Sequence, residues 1–139
     1  MTARRHPFEY AVLRIVPRPE RGEAINAGVL VYCRALDYLG ARVHLDAARL
    51  RALDPAADPA AIERALGSVV NVCAAAPEAG PAGREDPGRR FRWLVAPRST
   101  VVQPGPVHTG LTSDPDADAD RLLRLLVLPV TPGASRTGG

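Results

Sequence analysis

The sequence contains no lysine; all 18 of its basic residues are arginine. Every cationic side chain is therefore a planar guanidinium fork, which suits carboxylates and phosphates better than an ammonium does. Aromatic residues are scarce, at 4%. A core must then be built mostly from Ala, Val and Leu. The scarcity also argues against a dedicated nucleic-acid surface, where aromatics commonly interleave with a dense basic stripe. There are two cysteines, Cys33 and Cys73, and no Cys-x-x-Cys pair. A zinc or redox site has no support from that spacing, and both thiols are expected to be free and buried in a reducing compartment. No apolar run approaches the roughly 20 residues needed to span a membrane. The polar start Met-Thr-Ala-Arg-Arg-His-Pro lacks a signal core, so a cytoplasmic protein is expected. His6, His44 and His108 have no ligand spacing, and no metal is expected. Gly-x-Gly-x-x-Gly, the Walker loop and the Gly-x-Ser-x-Gly elbow are all missing. Arg21-Gly22-Glu23 reads as a turn rather than a phosphate cradle, and no cofactor is expected.

What is present is a chain of 139 residues, 46% apolar, with net charge +3 and a pI near 9.4. That is enough apolar surface for one domain with a true core. The arginines are dispersed among Asp and Glu, so the basic balance is mild. We expect a single domain over residues 1–130, a flexible Pro/Gly-rich loop near 76–90 and a disordered tail at 131–139.

Residues 8–16 read as a strand with Tyr10, Val12 and Arg14 on one face and Ala11, Leu13 and Ile15 on the other. A second strand near 25–34 puts Ile25, Ala27, Val29, Val31 and Cys33 on an apolar face. A third, near 38–45, alternates Leu39, Ala41, Val43 and Leu45 with Tyr38, Gly40, Arg42 and His44. Three strands with short links predict an antiparallel meander. Its second face would be polar, with Arg14, Asn26, Arg42 and His44. Asp46 can cap a short helix through Leu50 and Leu53. Asp58 followed by Pro59 starts a helix whose stripe is Ile62, Leu66, Val69, Val70 and Cys73. Phe91, Trp93 and Val95 alternate with Arg92, Leu94 and Ala96 and predict another strand, ended by Pro97. Residues 98–103 extend again, and Asp114-Pro115 opens a last helix carrying Ala119, Leu122, Leu123 and Leu126. The fold class is α+β, an antiparallel sheet of about four to five strands with two or three helices packed on one face.

Two places could carry chemistry. Ser99, Thr100, Gln103, His108 and Thr109 form the densest uncharged polar cluster, stiffened by prolines. A hydroxyl beside a histidine can be a nucleophile and its base, but only if the geometry joins them. The plainer reading, that these groups satisfy backbone in an irregular loop, is preferred. The second place is Arg14, a charge in mid-strand that needs a partner if buried. Glu23 on the next connection is the partner expected for it, and the pair would tie that connection to the sheet. The alternative aims Arg14 at an anionic ligand.

The segments Tyr-Ala-Val-Leu-Arg-Ile-Val-Pro (10–17), Arg-Gly-Glu-Ala-Ile-Asn-Ala-Gly-Val-Leu-Val-Tyr-Cys (21–33) and Phe-Arg-Trp-Leu-Val-Ala-Pro-Arg-Ser-Thr-Val-Val-Gln-Pro-Gly-Pro-Val-His-Thr-Gly (91–110) resemble the bacterial domain-of-unknown-function family 3037. The resemblance implies a small stand-alone protein without an established activity, encoded near HipA-like serine/threonine kinases. It carries over Arg14, Glu23, Asn26, Gly28, Trp93, Ser99, Thr100, Gln103 and His108 as motif residues, without assigning roles to them.

Two readings follow. The first is a non-catalytic binding or accessory module with a protein partner, such as a HipA-like kinase. The second is a small enzyme acting through Arg14 and the Ser99–His108 segment on a phosphate- or carboxylate-bearing substrate. A nucleic-acid binder is disfavoured, and no membrane partner is expected. The ligand- or partner-binding candidates are Arg14, Glu23, Asn26, Ser99, Thr100, Gln103 and His108; no catalytic residue is assigned.

Overall fold

The computed structural model describes residues 4–131. The expected tail therefore lies outside the described residues, apart from Thr131. Five strands, β1 (His6–Ile15), β2 (Ile25–Cys33), β3 (Tyr38–Val43), β4 (Val102–Pro104) and β5 (His108–Thr112), form one antiparallel sheet. Its order is β3-β2-β1-β4, with β5 also paired to β1. β4 binds Leu13–Ile15 and β5 binds His6–Tyr10, so two short strands share one edge of β1. In the step between them the Gly105 amide donates to the Val12 carbonyl at 2.7 Å.

The helices are α1 (Ala47–Leu53), α2 (Pro59–Ala74), α3 (Pro87–Leu94) and α4 (Pro115–Leu126), with a 3-10 stretch at Pro77–Arg84. The fold is α+β with an antiparallel sheet, as expected, with somewhat more helices. Each α-helix opens on an aspartate, Asp46, Asp58, Asp86 or Asp114, whose side chain accepts first-turn amides. Pro follows the cap in α2, α3 and α4, where its missing N–H costs nothing.

α3 corrects the expected strand at 91–96. Asp86-Pro87 is the same start signal as Asp58-Pro59, and it overrides the alternation of Phe91, Trp93 and Val95. In the helix Phe91 and Leu94 are buried three residues apart, while Trp93 faces out. The stretch 76–90, read as a loop, holds the 3-10 segment, kinked at Gly80, and the start of α3.

α1, α2 and α3 cover one sheet face. Leu13, Ile15 and Leu30 meet Leu50, Ile62, Leu66, Val72, Phe91 and Leu94 there. The opposite face is not left wholly polar: α4 packs Ala119 and Leu122 against Phe8, Val29 and Val31. The expected single apolar face of β2 is split. A register shift lies between Leu13 and Arg14, pairing Leu13 with Gly28 but Arg14 with Asn26. The extra residue, Ala27, reverses the alternation as a β-bulge does. Ile25 and Ala27 thus face the α2 side, and Val29, Val31 and Cys33 face α4. Every residue from Ala27 to Val31 is buried.

Candidate functional site

Arg14 lies between Asn26 of β2 and Gln103 of β4 in the sheet register. Register partners project from the same side. The three side chains therefore form a polar row across three strands. Arg14 has the same parity along β1 as Tyr10, which packs on the α4 side. The row emerges where α4 ends: the Asn26 amide Nδ2 donates to the Leu126 carbonyl at 3.0 Å. A Cβ on Gly105 would stand 3.1 Å from Arg14 Nη2, so the guanidinium rests over that backbone. His108 pairs with Tyr10, and their ring centroids are 5.2 Å apart. Arg14, Asn26, Gln103 and His108 therefore share one face.

Three other candidates do not join them. Glu23 does not pair with Arg14; its carboxylate accepts from Arg21 Nε across a turn. Among the described residues, no carboxylate lies within ion-pair distance of Arg14. The sequence suggests Glu23 because it lies on the connection that follows β1, but Arg21 is two residues from it and takes it first. Thr100 donates to the Val102 carbonyl at 2.7 Å. In the β4 register, Val16 and Arg14 take the inward groups of Val101 and Gln103, so Val102 O points off the sheet edge. Thr100 satisfies it, and Pro104 supplies no donor, which blunts this edge against stray pairing. Thr100 lies on the α2 side with Ile62 and Val72, across the sheet from His108. The hydroxyl–imidazole pairing that the enzyme reading requires is not formed there. Ser99 is exposed and precedes β4.

The remaining motif positions have distinct roles. A Cβ on Gly28 would fall 2.8 Å from the Arg42 carbonyl and 3.2 Å from Leu13, so only glycine fits beside the bulge. Trp93 is 53% exposed, with the Arg98 guanidinium 4.9 Å from its ring centroid. Trp93, Val101 and Arg98 rim a groove of about 490 Å³ between α2, α3 and the 98–102 segment. A larger hollow, about 870 Å³, lies against the start of α3; its Arg34, Arg89 and Arg92 are matched by Glu9, Asp37 and Asp86.

Two polar centres lie outside the candidate residues, although the sequence puts Arg42 of one of them on the polar sheet face. Arg90 is buried and donates through Nη1 to Val72 O and Cys73 O, both at 2.8 Å, and through Nε to Glu85 O at 2.9 Å. It closes the C-terminal end of α2, where carbonyls and the helix dipole favour a cation. Only the Asp86-Pro87 helix start could have placed it. Burial pushes the neighbouring Cys73 thiol up to about 12, partly opposed by Arg90, so Cys73 stays protonated near neutrality. On the α4 face Arg42 reaches Asp120 and Asp116 at 2.7 Å each, and Tyr38 donates to Asp116 at 3.0 Å. Partial burial works against the Arg42 charge, but hydrogen bonds to the two aspartates outweigh it and raise its pKa. Burial first, then the bond to Asp116, pushes Tyr38 up to about 12. Arg42, then Tyr38, lowers Asp116.

Among the described residues, no three His, Cys, Asp or Glu side chains converge as a metal site requires, and no helix is long and apolar enough to cross a membrane. No curated protein and no solved structure matches the chain. A family model does, over residues 10–127, from Tyr10 in β1 to Val127 just past α4. The match takes in every strand and helix of the fold except the start of β1, residues 6–9, and the chain belongs to the family described as Protein of unknown function (DUF3037).

Proposed function

We infer that this chain is a small non-catalytic binding module whose polar row, Arg14 with Asn26 and Gln103, and His108 on the same face, receives an acidic segment of a protein partner. One observation carries the reading. The sheet register sets an exposed guanidinium, with no acidic partner among the described residues, between two side-chain amides. A guanidinium fork gives bidentate bonds to a carboxylate, and flanking amides add donors. Ser99, Thr100 and Glu23 belong to the surroundings rather than to the contact. The partner we assign is a HipA-like serine/threonine kinase, on the family resemblance, and the setting is the cytoplasm.

The test is co-expression of the tagged chain with the HipA-like kinase of its own genome. The kinase should be retained, and Arg14→Ala or Gln103→Ala should weaken retention at least about ten-fold, the worth of one charge-assisted hydrogen bond. Both variants should melt like the parent. Kinase that is never retained, or retained equally by both variants, refutes the assignment.

A further inference from the structure

The groove on the α2 face is a second surface, separated by the sheet from the polar row. Its floor is Ile62, Val72 and Leu94, all buried; its rim is Trp93 and Val101, 53% and 39% exposed. Its volume, about 490 Å³, lies within the roughly 300–1,000 Å³ range of small-molecule sites. Apart from Arg98, the polar side chains lining it are two hydroxyls, and both are committed. Ser68 donates to Arg64 O at 3.1 Å, and Thr100 donates to Val102 O at 2.7 Å. No carboxylate lines the groove.

Arg98 is different. Its Nη2 donates to Trp93 O, its Nε reaches Ala96 O at 3.4 Å, and its guanidinium stacks on the Trp93 ring. Those contacts fix the fork at the groove mouth and leave Nη1 without a hydrogen bond among the described residues. An apolar trough with one immobilised cation at its rim matches a ligand with an apolar body and a single anionic end.

We propose that the Trp93–Arg98 groove binds a free medium-chain carboxylate, its alkyl chain along Ile62, Val72 and Leu94 and its carboxylate on Arg98. Trp93 is the only tryptophan of the chain and sits on the wall, so its fluorescence reports occupancy directly. The purified full-length chain is titrated with decanoate and, separately, with decanol, below the concentrations at which either self-associates. Decanoate should shift Trp93 emission saturably and bind about ten-fold more tightly than decanol, since the two share a chain and differ in the charged group. Arg98→Met should bring the two affinities together, and Val69→Phe, which fills the groove and adds no tryptophan, should abolish both while the protein still melts cooperatively. A response that does not saturate, or a decanoate preference that survives Arg98→Met, overturns the proposal. Equal decanoate and decanol affinity in the parent protein does the same without any variant. If Arg98→Met lowers only the melting temperature, Arg98 is a cap for the end of α3 and no ligand site exists. Loss of kinase retention through Arg14 would leave all these readings untouched.

Discussion

Arg90 shows how one side chain can hold a fold without an acidic partner. Its three hydrogen bonds all go to backbone carbonyls, so removing it leaves buried acceptors at the end of α2 unpaired. A lost charge-assisted bond and an orphaned buried acceptor each cost about 1–3 kcal/mol. Arg90→Met should destabilise by roughly 3 kcal/mol in chemical denaturation; a change below about 1 kcal/mol would show that solvent replaces the guanidinium there. Gly28 acts through absence of atoms. Its virtual Cβ meets a backbone oxygen at 2.8 Å, which cannot move without disturbing the β2–β3 ladder. Gly28→Ala should therefore lower the melting point markedly. Ala75 presents the opposite case. It ends α2 at φ 54°, ψ 36°, a left-handed conformation that costs a non-glycine residue about 1 kcal/mol or more. Ala75→Gly should raise stability by about 0.5–1 kcal/mol, because the strain relieved exceeds the entropy added to the unfolded chain. A lower melting point for that variant would disprove the strain.

At the scale of elements, α4 is held by apolar contacts and by one charged cluster. Tyr38 and Arg42 of β3 reach Asp116 and Asp120 of α4, so the titration of Asp116 and of Tyr38 should be felt as α4 docking. Asp116 is lowered in the folded protein. Its contribution is then complete above the ordinary aspartate value and lost as pH falls through the lower folded one. Tyr38 is raised from 10 to about 12. Stability should therefore fall as pH climbs from the ordinary tyrosine value toward about 12. Thermal melts across pH should show both losses, and Arg42→Gln should shrink the acid one. An unchanged acid limb in that variant would separate Asp116 from stability. The helices of this fold were legible wherever an aspartate cap met a clear apolar stripe, as in α2 and α4. α3 was hidden because the alternation of Phe91, Trp93 and Val95 imitates a strand over so short a span. The split of β2 was invisible for a different reason. A bulge is fixed by pairing with β1 and by the fit of Gly28 under Arg42, and neither is local to the β2 sequence. The candidate site was legible only as residue types. Gln103 and His108 needed the register of β4 and β5 to join Arg14, and Thr100 needed the same register to be sent to the other side.

Across the whole molecule, the sheet divides two surfaces of unlike chemistry: a polar row beside α4 and an apolar groove beneath α2. The division makes the role of Arg14 separable from stability. If Arg14 were a structural ion pair with Glu23, either single substitution to Ala would lower the melting point and the double-mutant cycle would show coupling. The geometry gives Glu23 to Arg21 instead. Arg14→Ala and Glu23→Ala should therefore each shift stability by less than about 0.5 kcal/mol, as exposed substitutions do, and be additive. Arg14→Ala and His108→Ala should both weaken kinase retention, Arg14 the more strongly, because it supplies the charge and His108 stands further along the same face. Glu23→Ala should leave retention unchanged. Coupling above about 0.5 kcal/mol between Arg14 and Glu23, together with undiminished retention of the kinase, would return Arg14 to a purely structural role.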